Sequence, residues 1–202
     1  MTNMTEQTQQ NHTGPARKII SFTLFGTREI FLDGALKNLE SAKKYYPDWQ
    51  CWFYVSQELP PQFLDRLENA GGKVIRKIRR SRYDGMLWRL LAANEKGIDA
   101  VIFRDLDSRF SEREAAAVND WLGSGKSFHI MRDHPWHKSL IMGGMWGVRG
   151  NVLPDIKVLF RKFCWRNPDL FLYRKGIFGD RDLDQHFLGQ MVYPLSKNKA
   201  LI

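Results

Sequence analysis

The sequence predicts an α/β fold with a mostly parallel central sheet, and three observations carry that expectation. Short apolar runs such as IISFTLF and WQCWFYV alternate with longer stretches of helical periodicity, the pattern of βαβ units. Pro and Gly punctuate the helical stretches at their ends, as in PPQFLDRLENAGG. One buried-looking run, AVIF, breaks off into the charged RDLDSR, and ligands of parallel sheets bind beyond the carboxyl ends of strands.

The elements follow in order. Ile19 to Phe25 reads as the first strand, closed by a Gly26-Thr27 loop. Ile30 to Tyr46 places Phe31, Ala35, Leu39, Ala42 and Tyr46 on one helical face and stops at Pro47. Trp49 to Val55 is the second strand. The helix after Pro60-Pro61 ends before Gly71-Gly72, and KVIRKI is a short third strand. Tyr83 to Lys96 is expected to be helical with Gly97 as its stop, and Ala100 to Phe103 is the fourth strand. Ser111 and Glu114 form a capping box opening the helix through Leu122. Ser127 to Met131 is the fifth strand. A helix from Asp155 to Phe163 follows Pro154, and a last helix runs from about Asp182 to Met191.

The chain has 202 residues, 43% of them hydrophobic, enough for one domain with a real core. The polar opening MTNMTEQTQQNHTGPAR lacks the apolar stretch of a secretory signal. It is expected to be a disordered tail over residues 1–16, with residues 17–202 forming a single domain. No apolar run is long enough for a membrane span. Two cysteines without a CxxC argue against a disulfide framework or zinc site and for reduced thiols of a cytoplasmic protein. The net charge of +9, densest in KVIRKIRRSR, favours an anionic partner and leaves peripheral membrane contact open.

Asp105 and Asp107 carry the chemistry. In an extended segment they point to one face and Leu106 to the other. Two carboxylates that close repel, and a hard divalent cation removes the conflict. The pair therefore reads as a platform for Mg²⁺ or Mn²⁺ and a diphosphate. The competing reading is a solvated turn in which Arg104 and Arg109 pair with the aspartates.

YDGMLWRLLAANEKGIDAVIFRDLDSRFSEREAAAVNDWL resembles the central segment of GT-A glycosyltransferases, the nucleotide-diphospho-sugar transferase fold, in which a helix leads into a strand ending in DxD. With FHIMRDHPWHKSLIMGGMWGVRG and DLDQHFL, it is similar to a bacterial and viral glycosyltransferase-like group, from about Ile19 to Leu195. The resemblance implies a GT-A, Rossmann-like sandwich. Its function would be metal-dependent transfer of a sugar from a nucleoside-diphosphate sugar to a glycan, lipid or protein acceptor. The loop Leu24-Phe25-Gly26-Thr27 would meet the base and ribose. Asp107 would be the direct metal ligand, with Asp105 on the ribose or on the metal through water. Arg89 would reach the donor's phosphate or sugar, or else pair with Asp84 or Asp105. Donor contacts are further expected from Asp84, Arg104, Gly143, Gly144 and Gln185. Trp146 would offer a flat face to the sugar, against the alternative of a core tryptophan. Asp184 would be the catalytic base, with helix capping as the competing role.

Some features stand outside that pattern. Asp133, His134 and His137 surround Pro135, which argues for an acceptor-side or structural loop rather than a metal site. Lone His129 is expected to be a satisfied core histidine. The similar proteins continue with a His-Asp segment that is lacking after His186, so either the chain is truncated or that metal ligand is missing. A nucleotide-sugar-binding protein without turnover is therefore a second reading. A metal-dependent nucleic-acid protein is a third, disfavoured because no nucleic-acid-binding motif occurs.

Overall fold

The structure is a computed structural model, and it describes residues 16–79, 84–135, 137–169 and 183–202. Its centre is a seven-stranded sheet in the order β3-β2-β1-β4-β6-β5-β7. The strands are β1 (Lys18–Leu24), β2 (Trp49–Ser56), β3 (Lys73–Lys77), β4 (Ala100–Phe103), β5 (Phe128–Ile130), β6 (Trp146–Arg149) and β7 (Ala200–Leu201). The pairs β1–β2, β1–β4, β2–β3 and β5–β7 are parallel, and only β6 runs against its neighbours β4 and β5. The expected α/β class with a mostly parallel sheet is the observed one.

The period of two along each strand sorts the core into two layers. Ile20, Phe22 and Leu24 of β1, Phe53 of β2 and Ile102 of β4 face one layer. Helices α1 (Glu29–Tyr45), α2 (Pro61–Asn69) and α4 (Glu112–Gly123) complete it. Ile19, Trp52, Tyr54, Val101 and Phe103 face the other layer. That side is covered by α3 (Asp84–Leu87), a 3₁₀ helix (Trp88–Asn94), α5 (Ile156–Arg166) and α6 (Leu183–Phe187). A π-helical turn (Leu188–Val192) and α7 (Tyr193–Ser196) continue α6. Phe22 stacks on Phe53 at 4.9 Å between centroids, across the parallel pair that aligns them. Each such buried aromatic contributes roughly 1.5–3 kcal/mol.

Several expectations change. Only Asp84–Leu87 is α-helical in the helix expected before β4, and Trp88–Asn94 tightens to 3₁₀. The reason is local: Thr23 Oγ1 accepts the Arg89 N–H at 2.9 Å, and Ser21 Oγ donates to the Arg89 carbonyl at 2.8 Å. Those bonds tie the segment to β1 in place of a regular α-helical ladder. The glycine-rich GGMWGVRG contributes a strand, β6, that its glycines hid. A Cβ on Gly147 would lie 2.9 Å from both Ile102 Cγ2 and the Val101 carbonyl oxygen, so the strand needs glycine to pack beside β4. The short strand β7 was likewise unforeseen. The Ser111 cap is present, its Oγ accepting the Glu114 N–H at 3.2 Å. Asp155 caps α5 through the Lys157 and Val158 N–H groups. Residues 1–15, together with Arg82, Tyr83, Trp136, Asp180 and Asp182, lie outside the described residues. Among the described residues no helix is long and apolar enough to cross a membrane.

Candidate active site

The parallel strands β1 and β4 end at the same rim, where the strand order turns from β2 on one side to β4 on the other. A cavity of about 370 Å³ opens there. Its wall includes Thr23 and Leu24 at the end of β1, Phe25 just after it, Asp105 to Asp107 after β4, and Arg89. Gly143, Asp184 and Gln185 complete the polar lining. Antiparallel β6 begins at this rim, with Trp146 opposite Phe103, and so brings Gly143 to it.

The DxD segment is a turn rather than an extension of the strand, because β4 ends at Phe103 and Leu106 to Ser108 form the turn. Helix α1 anchors it. Asn38 Nδ2 donates to the Leu106 carbonyl at 3.3 Å, and a Cβ on Gly34 would collide with that same carbonyl. Ser108 Oγ donates back to the Asp105 carbonyl at 2.9 Å. Although the alternation argument does not apply in a turn, both carboxylates line the same cavity. Asp105 is half-buried and Asp107 exposed.

Arg89 is the centre of the site. Its Nη1 donates to Asp105 Oδ1 and to the Arg104 carbonyl, the latter at 3.1 Å. Its Nη2 donates to Asp184 Oδ2 at 3.1 Å. Burial alone would push Arg89 down, but Asp105 and Asp184 together hold it above its usual range, so it stays cationic. Burial pushes the Asp184 carboxyl up, with Arg89 and the Gln185 N–H acting in the opposite direction. Oriented to match its neighbours, the Gln185 amide donates to the Ile141 carbonyl at 2.6 Å and accepts the Gly143 N–H at 3.2 Å.

The glycines serve this network. A Cβ on Gly143 would sit 2.6 Å from Asp184 Oδ2 and 2.7 Å from Arg89 Nη2, and one on Gly144 would overlap Asp105 Oδ2. The close approach expected from a ligand is already made by the site's own side chains.

Four expectations are corrected. Trp146 is fully buried and stacks on Phe103 at 4.3 Å, so its ring has no face for a sugar. Arg104 is 3% exposed and bonds Glu114 Oε1 at 2.5 Å and the Trp146 carbonyl at 3.2 Å, outside the cavity lining. Neither Arg104 nor Arg109 pairs with the DxD aspartates. Arg109 donates to the carbonyls of Leu106 and Ser108, and Arg89 holds Asp105 instead. His129 is buried, yet neither ring nitrogen has a hydrogen-bond partner among the described residues, and it stacks on Trp121 at 5.6 Å.

Gly26, Thr27, Asp84 and Gly144 are not among the residues lining this cavity, whereas Thr23, Phe31, Met86 and Leu106 line it without having been singled out from the sequence. Thr23 was findable as a residue at the end of a strand, directly before the loop that begins at Leu24. Phe31 and Met86 were not, because a helical apolar residue looks the same whether it faces a core or a cavity. Among the described residues no group of three or more His, Cys, Asp or Glu side chains could hold a metal ion. The loop pair His137 and Asp133 forms a bond of 3.0 Å beside the His134 ring.

No family model matches the chain. A probable Vpr-like protein of Maedi visna virus is 46% identical over 33 residues, 16% of this chain and 35% of that protein. Solved structures resemble it far more extensively. The apo glycosyltransferase GlyE of Streptococcus pneumoniae matches over 94% of this chain with a TM-score of 0.56 and 13% identity. An active-site mutant of LgtC matches over 86% of this chain and 70% of its own, with a TM-score of 0.50 and 13% identity. The chain spans 46% of the length of GlyE. The fold is that of the GT-A, Rossmann-like α/β sandwich.

Proposed function

We propose that this chain is a metal-dependent glycosyltransferase that moves a sugar from a nucleoside-diphosphate sugar to a glycan, lipid or protein acceptor. The observation that carries the reading is the convergence of Asp105, Asp107, Asp184 and Arg89 on one cavity at the carboxyl ends of β1 and β4. Likeness of fold to the glycosyltransferase GlyE supports it.

The donor set suits a hard cation held largely by substrate and water. Asp105 and Asp107 supply only carboxylate oxygen, and Mg²⁺ or Mn²⁺ accepts one or two such groups beside phosphate oxygens. Asp107 is the better direct ligand because it is exposed, whereas Oδ1 of Asp105 is engaged by Arg89. When bound, the cation offsets the charge of the departing nucleotide diphosphate. Phe25, which follows β1 and lines the cavity, would be the aromatic contact for the base. Asp184 lines the same cavity and would take the acceptor's proton, a role supported by burial raising its affinity for one. Arg89 is a positioning residue: both Nη atoms are engaged, and it sets the orientation of Asp105 and Asp184.

Thermal-shift measurement against a panel of nucleotide sugars, with and without Mn²⁺, tests the proposal, because a ligand of the native state raises the melting temperature. One donor should stabilise the protein only when Mn²⁺ is present. A transfer assay with that donor then separates turnover from binding alone. Indifference to every nucleotide would overturn the reading.

A further inference from the structure

We infer that a second cavity, across the Asp105–Arg109 turn from the first, receives a phosphate monoester carried by the acceptor. The acceptor role rests on the glycosyltransferase reading; the anion site does not. The cavity measures about 530 Å³ and is lined by three arginines, Arg104, Arg109 and Arg113, against two carboxylates, Glu114 and Asp133. His134 and His137 also line it.

The charges do not cancel. Arg104 pairs with Glu114, and Arg113 with Asp133. Among the described residues Arg109 remains as the excess cation of this cavity: it is exposed, and its Nη1 donates to the Leu106 carbonyl at 2.7 Å and the Ser108 carbonyl at 2.5 Å. Arg104 adds a second signal. It is 3% exposed, and its Nη2 is buried with no hydrogen-bond partner among the described residues. A buried donor without an acceptor is costly, so the wall of this cavity carries cationic charge that its own hydrogen bonds do not fully compensate. The forked donors of arginine match the oxygens of a phosphate. Apart from the stems of its polar side chains, the lining is apolar only at Met131 and Met145, which favours a polar, phosphate-bearing occupant over a buried acyl chain.

The position ties this cavity to the first. One turn serves both, with Asp105, Leu106 and Asp107 on the first and Ser108 and Arg109 on the second. Gly143 lines one and Gly144 the other. An acceptor anchored by its phosphate here reaches the donor across a single turn of chain.

Nitrogen-15 NMR of the full chain titrated with inorganic phosphate tests the inference. Saturable shifts are expected at Ser108, Arg109, Ser111, Arg113 and Met145. Arg109→Gln should weaken phosphate binding about tenfold, as loss of one charge-assisted contact implies, and Arg113→Gln should weaken it independently. No saturable shift, shifts confined to Thr23, Phe25 and Gly143, or an unchanged affinity in Arg109→Gln would overturn the site. Two further arms identify the source of the phosphate. Tighter binding of glucose 6-phosphate than of inorganic phosphate assigns a soluble phosphosugar. Sedimentation with phosphatidylcholine vesicles that requires phosphatidic acid, and is lost in Arg109→Gln, assigns a lipid headgroup. The donor reading is followed separately, through UDP and Mn²⁺ shifts at Thr23 and Phe25. Its failure beside intact phosphate binding leaves an anion site and removes the acceptor role.

Discussion

Arg89 and Asp184 stand 95 positions apart in the chain, yet Nη2 of one lies 3.1 Å from Oδ2 of the other. The contact joins the 3₁₀ segment before β4 to the first turn of α6, and both residues are buried.

Arg89→Met should therefore be strongly destabilising. It leaves Asp184 buried without its cation, and breaking a buried pair costs about 3–5 kcal/mol. Urea denaturation at neutral pH measures it, and a loss within about 0.5 kcal/mol would mean the pair is solvated. The deficit should also shrink on acidification. A carboxyl whose folded-state pKa is raised contributes most stability below its unfolded value, near pH 4, and loses that contribution as pH rises through the folded value. Without Arg89, burial acts on Asp184 with less opposition, so the variant should regain stability relative to the native chain as pH falls.

Asp107→Asn should separate binding from folding. Asp107 is exposed in a surface turn, so stability should stay within about 0.5 kcal/mol. Mn²⁺-dependent binding of the donor nucleotide should disappear, read by titration calorimetry. Unchanged affinity would remove Asp107 as a metal ligand.

Gly144→Ala tests whether the glycine serves the carboxylate network. The added methyl group overlaps Asp105 Oδ2, so the carboxylate must swing off Arg89. Overpacking of this kind costs about 1–3 kcal/mol. Donor affinity should fall as well, since Asp105 is displaced from the cavity wall. Full stability with full affinity would show that the turn yields freely.

His129 governs part of the acid sensitivity. Burial, helped by the nearby Arg104 charge, lowers its pKa from 6.5 to about 3. Its contribution is present above pH 6.5, where the unfolded imidazole is neutral too, and is lost as pH falls towards about 3. The slope in that window approaches about 1.4 kcal/mol per pH unit. His129→Phe, which keeps a ring against Trp121, should flatten the pH dependence of the melting temperature between pH 6 and pH 4. An unaltered profile would place the acid sensitivity elsewhere.

The basic run beginning at Lys73 shows how an element can be legible while its use is not. Its strand, β3, lies at the edge of the sheet. Lys73 lies over the Trp52 ring at 3.6 Å and Arg79 over Phe25 at 5.6 Å, so part of the positive charge covers aromatic rings. Composition registers those cations but not what lies beneath them.

Order and type of elements were readable because they are local. Alternation at Ile19-Ile20 and Val101-Ile102-Phe103 encodes two buried faces, Ser111 and Asp155 encode helix starts, and an apolar strand running into RDLDSR encodes a rim. The partners across that rim were not readable. Whether Arg89 meets Asp184 depends on α6 packing beside the 3₁₀ segment, and whether Trp146 faces a sugar or the core, and Gly143 and Gly144 a ligand or carboxylates, depends on β6 running antiparallel into the sheet. That pairing joins residues far apart in the chain, and local propensity carries no information about which distant groups will share one buried volume.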